Sequence, residues 1–515
     1  MTELPPFYIT TPIYYVNDKP HLGHAYTSVA CDALARFMRL YGRKVMFLTG
    51  TDEHGQKVEK SAKTAGVPPQ AFVDEVSEHF REMARILKLS HDDFIRTTEP
   101  RHVKASQDIW RRLEASGDIY LGSYAGWYSV RDEAFYAESE LVAGKAPTGA
   151  DVEWVEEPSY FFKLSKYEQP LLDYYANNPD MILPESRRNE ILSFIKGGLK
   201  DLSISRTTFS WGIPVPGNEK HIMYVWLDAL TNYLTATGFP DVSSDMYKTF
   251  WPANIHMVGK DIVRFHAVYW PAFLMSAQLP LPKRVFAHGW WTIEGEKMSK
   301  SLGNVVAPEH LVEKYGLDQT RYFLLREVPF GNDGNFSRKQ MGERINADLA
   351  NNIGNLAQRT LSMIVKNCDS KIPDNALSAS RPQDRVLLDK VQVTHKDSLT
   401  DAHDKMEHCK FNEVIADILS MSSAANEFID REAPWTQRKE NINAMNATLY
   451  TLAETIRCIA IMLQPFVPDS AAKLLDQLSV APDARSFIHL RPEHALKSGT
   501  VISAPSAVFP RFQEM

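Results

Sequence analysis

The opening of the chain constrains the fold more than any other part, because it predicts a strand, a helix and a second buried strand separated by turns. Aromatic and β-branched residues over 7–11 predict the first strand. From His21 onward, apolar residues recur at three- and four-residue steps, which predicts a helix that Gly42 ends. Residues 45–48 predict the second strand. This order is typical of a parallel α/β domain.

Ligands of parallel α/β domains bind at the carboxyl ends of the strands. Tyr15, His21 and Asp52 all follow predicted strands, so we expect them to face one crevice. The pattern changes over 120–201 to hairpins followed by helices near 167–177 and 190–200, which indicates an α+β insertion. The α/β pattern then resumes, with a helix predicted over 262–277 and a strand over 285–288. After residue 336 the chain is almost wholly helical, with helices near 383–404, 412–428 and 442–463, and predicts a bundle.

The composition is that of an ordinary cytoplasmic protein with several structural units. A chain of 515 residues is too long for a single core. No stretch approaches the roughly 20 apolar residues of a membrane span, and the N-terminus does not resemble a targeting segment. The four scattered cysteines predict reduced thiols. The net charge of −7 is weak evidence about nucleic acid, because local basic strips can still bind RNA.

Two short segments indicate a nucleotide triphosphate site. His21 and His24 stand where a helix begins, where unpaired N–H groups favour phosphate, and Gly23 leaves room for a base or ribose. Alone, this motif is as easily accidental as functional. Lys297 and Lys300 lie in a glycine-flanked loop, and such cations stabilise the charge of a departing pyrophosphate. Alone, a lysine pair is usually a solvated surface feature, but the two segments together favour the nucleotide site.

The two segments together resemble the signature motifs of class I aminoacyl-tRNA synthetases. Nearly the whole chain is similar to methionyl-tRNA synthetase, most densely at residues 12–17, 50–55, 224–229 and 259–266. The resemblance implies a Rossmann-like α/β catalytic domain with an α+β connective-peptide insertion, followed by an α-helical bundle that binds the anticodon. The implied division is 1–119 and 202–290 for the two catalytic halves, 120–201 for the insertion, 291–345 for the lysine loop and linking region, and 346–515 for the anticodon-binding domain.

The resemblance also implies the reaction and its residues. Methionine is activated by ATP with Mg²⁺ and then transferred to the terminal adenosine of tRNA(Met), including the initiator tRNA. Transition-state stabilisation is assigned to His21, His24, Lys297 and Lys300. ATP binding is assigned to Gly23, Gly259, Asp261, His288, Trp291, Met298 and Ser299. A helix N-cap is a second role open to Asp261.

The methionine pocket implied by the resemblance is aromatic, which suits a polarisable thioether. Its residues are Ile13, Tyr15, Asp52, Trp226, Ala229, Leu230, Tyr233 and His266. Asp52 is expected to pair with the substrate ammonium group, and His266 and Tyr15 to lie near the sulfur. Without the resemblance, the aromatic residues would be read as core and Asp52 as a turn cap.

The insertion departs from relatives that hold zinc on clustered cysteines. Residues 126–136 contain neither Cys nor His, and zinc needs four such ligands. We expect a zinc-free, single-knuckle form held by aromatic packing. In the helical part, the residues that match the family's readers of a CAU anticodon are Asn355, Arg359 and Trp435. A hydrophobic staple between helices is the alternative for Trp435.

Two rival functions remain open to the sequence. Another class I synthetase, for cysteine, leucine or valine, is the nearer rival, although the expected zinc and the long hydrolytic insertion are missing. A catalytically silent tRNA-binding protein is the other, and the intact histidine and lysine motifs disfavour it. Nothing corresponds to the dimerising domain that some relatives append, so a monomer is expected.

Overall fold

The structure, a computed structural model, describes residues 4–132, 134–298, 303–374, 378, 380–392 and 396–513. The chain divides into two compact units. The sheet unit contains residues 6–31 and 45–289, and the helical unit contains residues 1–5, 32–44 and 290–515.

The sheet unit contains fourteen strands among its described residues, and they run in chain order as follows. They are β1 Phe7–Thr10, β2 Tyr14–Tyr15, β3 Val45–Asp52, β4 Asp93–Arg96, β5 Ile119–Ser129, β6 Ala134–Tyr136, β7 Glu153–Phe162, β8 Ile182–Leu183, β9 Leu202–Ser203, β10 Ser205–Arg206, β11 Pro214–Val215, β12 Asn218–Met223, β13 Ile255–Gly259 and β14 Val285–His288.

The helices of this unit begin with α1 Leu22–Leu40, which from Asp32 onward belongs to the helical unit. The others are α2 Gln56–Ala65, α3 Pro69–Ile86, α4 Pro100–Ala115, α5 Glu168–Asn177, α6 Glu185–Lys196, α7 Val225–Thr235, α8 Asp245–Phe250 and α9 Trp270–Ser276. Short 3₁₀ turns span Glu138–Glu140, Leu164–Tyr167, Pro179–Met181 and Lys260–Ile262, and a π-helix spans Phe265–Tyr269.

A seven-stranded parallel sheet forms the core of the sheet unit, in the order β2-β3-β1-β13-β14-β8 with β4 also paired to β3. This confirms the predicted parallel α/β fold. The strands end in register at one edge, because Tyr15 lies opposite Asp52 and Gly259 lies opposite His288. The carboxyl ends of four strands therefore gather the residues that the sequence assigned to substrate.

The insertion forms an antiparallel sheet in the order β6-β5-β7-β9. The predicted hairpin is confirmed, since Trp127 on β5 lies opposite Tyr136 on β6. Across β5 and β7, the rings of Trp127 and Trp154 meet edge to face with centroids 5.3 Å apart. The helix predicted over 190–200 was placed wrongly: α6 spans Glu185–Lys196 and ends before Gly198, whose φ of 95° is incompatible with a continuing helix.

The helical unit carries a small three-stranded sheet, of β15 Trp291–Ile293, β16 Glu296–Lys297 and β17 Gly334–Phe336. Its helices are α10 Pro308–Tyr315, α11 Leu317–Arg326, α12 Arg338–Arg344, α13 Asn355–Asn367, α14 Pro382–Val391, α15 Lys396–Glu407, α16 Phe411–Glu432, α17 Pro434–Glu440, α18 Ile442–Leu463 and α19 Pro468–Gln477. A π-helix spans Ile345–Gly354, and 3₁₀ turns span Pro482–Ala484, Phe487–Leu490 and Pro492–His494.

The predicted helical bundle is confirmed, and α18 is its central helix, buried along most of its length. The single helix expected over 383–404 is instead two helices, because the backbone of Gln392 turns to an extended conformation after α14. A buried ion pair joins Arg321 on α11 to Asp32 on α1 at 2.6 Å. Across the described part of the chain, the helices are too short or too polar to cross a membrane.

Candidate functional site

Two stacked imidazoles stand at the start of α1. The rings of His21 and His24 lie 3.9 Å apart between centroids, 26° from parallel. The backbone N–H of His21 donates to His24 Nδ1 at 3.1 Å, and the backbone N–H of Gly23 donates to His21 Nδ1 at 3.1 Å. Because both Nδ1 atoms accept, each neutral ring carries its proton on Nε2. The pair therefore offers two Nε2–H donors.

Burial keeps these imidazoles uncharged. It lowers the pKa of His21, although the carboxylate of Asp261 acts in the opposite direction. Burial lowers the pKa of His24 well below its ordinary value, and the repulsion that two protonated rings would feel lowers it further. At neutral pH both side chains are donors without charge, so cationic stabilisation of a phosphate has to come from other residues.

Gly259 and His288 end two adjacent strands beside α1. A Cβ on Gly259 would lie 2.5 Å from Asp261 Oδ1, so only glycine allows this carboxylate so close to the strand end. The Nδ1–H of His288 donates to the carbonyl of Gly289 at 2.8 Å, which leaves Nε2 to accept from the hydroxyl of Thr27 at 2.7 Å. Burial lowers the pKa of His288.

Thr27 was missed by the sequence reasoning. It stands three residues after His24 and therefore on the same side of α1, a spacing that could have revealed it.

Four of the residues assigned to the methionine pocket lie on one face of α7. They are Trp226, Ala229, Leu230 and Tyr233. At about 100° per residue they fall within an arc of about 100°. The half-buried ring of Trp226 stacks on Phe265 with centroids 3.7 Å apart. The half-buried Ile13 and Tyr15 pack against the same core. The four α7 residues and the stacked Phe265, which is absent from the sequence prediction, thus form one wall.

A neutral hydrogen-bonded pair lies within this wall. The Nδ1–H of His266 donates to the carbonyl of Ile262 at 3.0 Å, so the hydroxyl of Tyr233 donates to His266 Nε2 at 2.7 Å. Burial lowers the pKa of His266 to about 4 and raises the pKa of Tyr233. His266 lies in the π-helix Phe265–Tyr269, a distortion frequent at functional sites. An uncharged polar pair among aromatic rings suits a weakly accepting thioether.

The two residues that follow Asp52 at the end of β3 are each fixed by hydrogen bonds. The buried carboxylate of Glu53 accepts from Arg96 at 2.6 Å and from Thr98 at 2.6 Å. His54 Nδ1–H donates to Asp228 on α7 at 2.7 Å. Sequence reasoning gave these neighbours no role, and no local signal pairs them, because their partners lie 43 to 174 residues away along the chain.

Asp228 also accepts from a second imidazole, His102 Nε2–H on α4, at 2.7 Å. Burial of this carboxyl would raise its pKa, but the charge of His54 and the hydrogen bonds from both histidines outweigh it and lower the pKa to about 2. Asp228 is therefore an ionised carboxylate held between two imidazoles.

The lysine loop belongs to the helical unit. Lys297 is exposed on β16, with its ammonium 5.8 Å from the ring centroid of the exposed Trp290. Met298 is half-buried, and Ser299 and Lys300 lie outside the described residues. Trp291 is only 4% exposed and packs against Phe323, which leaves little of its ring for a ligand. Its role in ATP binding stays a prediction.

Two of the three expected anticodon readers meet in the helical unit. The guanidinium of Arg359 lies 5.4 Å from the ring centroid of Trp435 and pairs with Asp430 at 2.5 Å. Trp435 is 46% exposed at the start of α17, so it is not a staple buried between helices. Asn355 is exposed one turn before Arg359 on α13. The arrangement offers an aromatic face with a cation beside it, which is how unpaired bases are bound.

Metal ligands do not gather in the described ranges: no group of three or more His, Cys, Asp or Glu side chains there is placed to hold an ion. The zinc-free state of the insertion stays a prediction.

Comparison with known families agrees with this geometry. A family model described as class I tRNA synthetases (M) matches residues 7–153 and 145–361. A second, described as the anticodon binding domain of methionyl tRNA ligase, matches residues 377–515. Fold and site together define a class I aminoacyl-tRNA synthetase.

Comparison with individual relatives shows which aminoacyl-tRNA synthetases this chain is similar to. The methionine–tRNA ligase of Rickettsia felis is 56% identical over 508 residues, covering 98% of each chain. That of Brucella suis is 55% identical over 513 residues, covering 99% of this chain and 98% of the relative. A structure of Mycobacterium tuberculosis methionyl-tRNA synthetase in complex with methionyl-adenylate has a TM-score of 0.95 at 50% identity, and covers 99% of this chain and 100% of that one. The chain belongs to the methionine–tRNA ligase family.

Proposed function

We propose that this chain activates L-methionine with ATP, giving methionyl-adenylate and pyrophosphate, and then transfers methionine to the 3′-terminal adenosine of tRNA(Met). The observation that carries the proposal is similarity to methionine–tRNA ligases along the whole chain, at 56% identity over 98% of both sequences. The neutral, aromatic wall on α7 supports methionine in particular, because a charged or strongly polar side chain would lose its hydration there without a matching partner.

In the first step a methionine carboxylate oxygen forms a bond to the α-phosphorus while the bond to the bridging oxygen breaks and pyrophosphate leaves. The Nε2–H groups of His21 and His24 donate to oxygens of the phosphate under attack. Their Nδ1 atoms already accept backbone hydrogen bonds, so neither ring serves as a general base. Lys297 and Lys300 are assigned the charge of the departing pyrophosphate. ATP enters as its Mg²⁺ complex, since phosphate oxygens are natural ligands of that ion.

The adenosine is assigned to the strand edge at Gly259, Asp261 and His288, where the exposed carboxylate of Asp261 is a suitable acceptor for ribose hydroxyls. Gly23 keeps the start of α1 open, and Trp291, Met298 and Ser299 complete the predicted set. Asp52 is assigned the methionine ammonium group, and the wall of α7 the side chain.

The second step needs tRNA bound at its far end. Asn355, Arg359 and Trp435 are assigned the CAU anticodon of both elongator and initiator tRNA(Met), with Trp435 as the stacking surface. A monomer that works in the cytoplasm, where ribosomes use the charged tRNA, is part of the same proposal.

The experiment is amino-acid-dependent exchange of labelled pyrophosphate into ATP, run with each amino acid separately on the full chain. We expect exchange with methionine alone. We expect His24→Ala to lower kcat by on the order of 100-fold, because a lost transition-state donor typically costs this much. Exchange with another amino acid and none with methionine would show a different synthetase. Absence of exchange with all of them would show a silent tRNA-binding protein.

A further inference from the structure

The carboxylate of Asp228 joins three elements of the sheet unit. Its Oδ2 accepts from His54, two residues beyond Asp52, and its Oδ1 accepts from His102 on α4, both at 2.7 Å. Both imidazoles are buried, and the carboxylate itself is fully buried. A buried carboxylate is retained at a high desolvation cost, so its two short hydrogen bonds are needed to hold it.

Asp228 lies on the face of α7 opposite the substrate wall and is buried there. It stands about 150° around the helix from the centre of the arc formed by Trp226, Ala229, Leu230 and Tyr233. Thr231 and Thr235 share this buried face with Asp228, and the hydroxyl of Thr235 lies 3.1 Å from His102 Nδ1. Asp228 therefore lies away from the substrate wall while fixing the helix that carries it.

The position of Asp52, the residue assigned to the methionine ammonium group, also depends on the carboxylate of Asp228. Asp52 ends β3, where it pairs with Tyr15 on β2. The next residue, Glu53, is anchored by Arg96, and the one after it, His54, donates a hydrogen bond to Asp228. The strand side of Asp52 is thus fixed within the sheet, and its loop side is fixed to α7.

We propose that Asp228 is a positioning residue for methionine, setting the separation between the ammonium-binding carboxylate of Asp52 and the side-chain wall of α7. This inference rests on the proposed function. An amino acid is held at two points whose spacing is fixed by its own covalent structure, so the protein must hold the two matching groups at the same spacing. A displacement of about 1 Å between groups that orient a substrate can cost on the order of 100-fold in rate.

ATP is assigned to different elements: the start of α1, the ends of β13 and β14, and the lysine loop. Loss of Asp228 is therefore expected to weaken the binding of methionine and to leave the binding of ATP unchanged. A purely structural role would lower stability without this selectivity.

The test compares Asp228→Ala, Asp228→Asn and His102→Gln with the unaltered chain in pyrophosphate exchange, measuring the KM for methionine, the KM for ATP and the melting temperature. Asp228→Ala is expected to raise the KM for methionine at least tenfold while the KM for ATP changes less than twofold. Asp228→Asn keeps the shape and its Oδ1 can still accept from one histidine, but its Nδ2 cannot accept from the other. Its KM for methionine is therefore expected to lie between those of the unaltered chain and Asp228→Ala. His102→Gln is expected to have a smaller effect than Asp228→Ala, because the bond to His54 remains.

Leu171→Ala is the matched control. Leu171 is fully buried on α5, which carries none of the residues assigned to substrate. Its truncation lowers the melting temperature through a cavity and is expected to leave the KM for methionine unchanged. If Asp228→Asn and His102→Gln are folded but also leave this KM unchanged, the positioning role is overturned. Failure of the unaltered chain to exchange with methionine would instead overturn the proposed function.

Discussion

Single side chains in the candidate site are held neutral by burial and by fixed hydrogen bonds. His24, His266 and His288 each have one ring nitrogen bonded to the backbone, which fixes the tautomer, and burial lowers the pKa of each. Donors of fixed direction and no net charge cost less to bury than imidazolium ions. These three imidazoles therefore stay neutral at neutral pH, as the phosphate and thioether roles proposed for the site require.

This neutrality predicts a stability change with pH at His266. Its pKa is about 4 when folded against an ordinary 6.5, so the unfolded chain takes up a proton first as the pH falls. The contribution of His266 to the free energy of unfolding is fully present above pH 6.5. It is lost progressively as the pH falls towards 4, by about 3 kcal/mol. Urea unfolding of the sheet unit at pH 7 and pH 4 should show a smaller loss in His266→Gln than in the unaltered chain. Equal losses in the two proteins would mean that His266 does not carry this linkage.

Among the secondary-structure elements, close approach of strands β3 and β4 depends on Gly50. A Cβ there would lie 2.0 Å from the carbonyl oxygen of Ile95, a backbone atom that cannot rotate away. Gly50→Ala is expected to lower the free energy of unfolding by about 3 kcal/mol through overpacking.

The matched control is Gly66→Ala, where the φ of 71° is strained for alanine but nothing lies within 4 Å of the added Cβ. We expect a loss of about 1 kcal/mol there. Thermal unfolding followed by circular dichroism compares the two variants. A Gly66→Ala loss equal to or greater than that of Gly50→Ala would show that the strands can separate at little cost.

Local pattern was enough to predict elements whose signal is contained in their own residues. The strand predicted over 7–11 became Phe7–Thr10, and the one over 285–288 is reproduced as Val285–His288. The helix expected over 262–277 is instead a 3₁₀ turn, a π-helix and α9 in succession. Pro271 stands at the start of α9, where it lacks the N–H for a hydrogen bond back to the preceding turn. Periodicity cannot reveal such a change of helix type.

In the candidate site, too, some residues could be predicted from local sequence and others could not. Residues within short motifs, such as His21 and His24, were predictable because their chemistry is local. The bond network of Asp228 was not, since its two partners are 174 and 126 residues away and only the folded sheet brings them together. Ser299 and Lys300 lie outside the described residues, so their assignment stays a prediction.

For the molecule as a whole, tRNA reading is assigned to the helical unit, which also carries the lysine loop assigned to activation. Trp435 is exposed in the helical unit with Arg359 beside it. Trp435→Ala should lower kcat/KM for tRNA charging by on the order of 10- to 100-fold, because stacking on an aromatic side chain contributes about 1–3 kcal/mol per base. Pyrophosphate exchange without tRNA should be unchanged. Trp435→Phe keeps a stacking face and should retain most of the charging. A fall in exchange equal to the fall in charging would contradict a role in tRNA reading.

The decisive measurement is charging of tRNA transcripts by the full chain with labelled methionine, comparing a CAU anticodon with the same transcript carrying GAU. We predict efficient methionylation of the CAU transcript and at least 100-fold lower kcat/KM for the GAU transcript. Equal charging of both, or charging of neither alongside active transfer of another amino acid, would contradict the assignment of this chain to methionine and its tRNA.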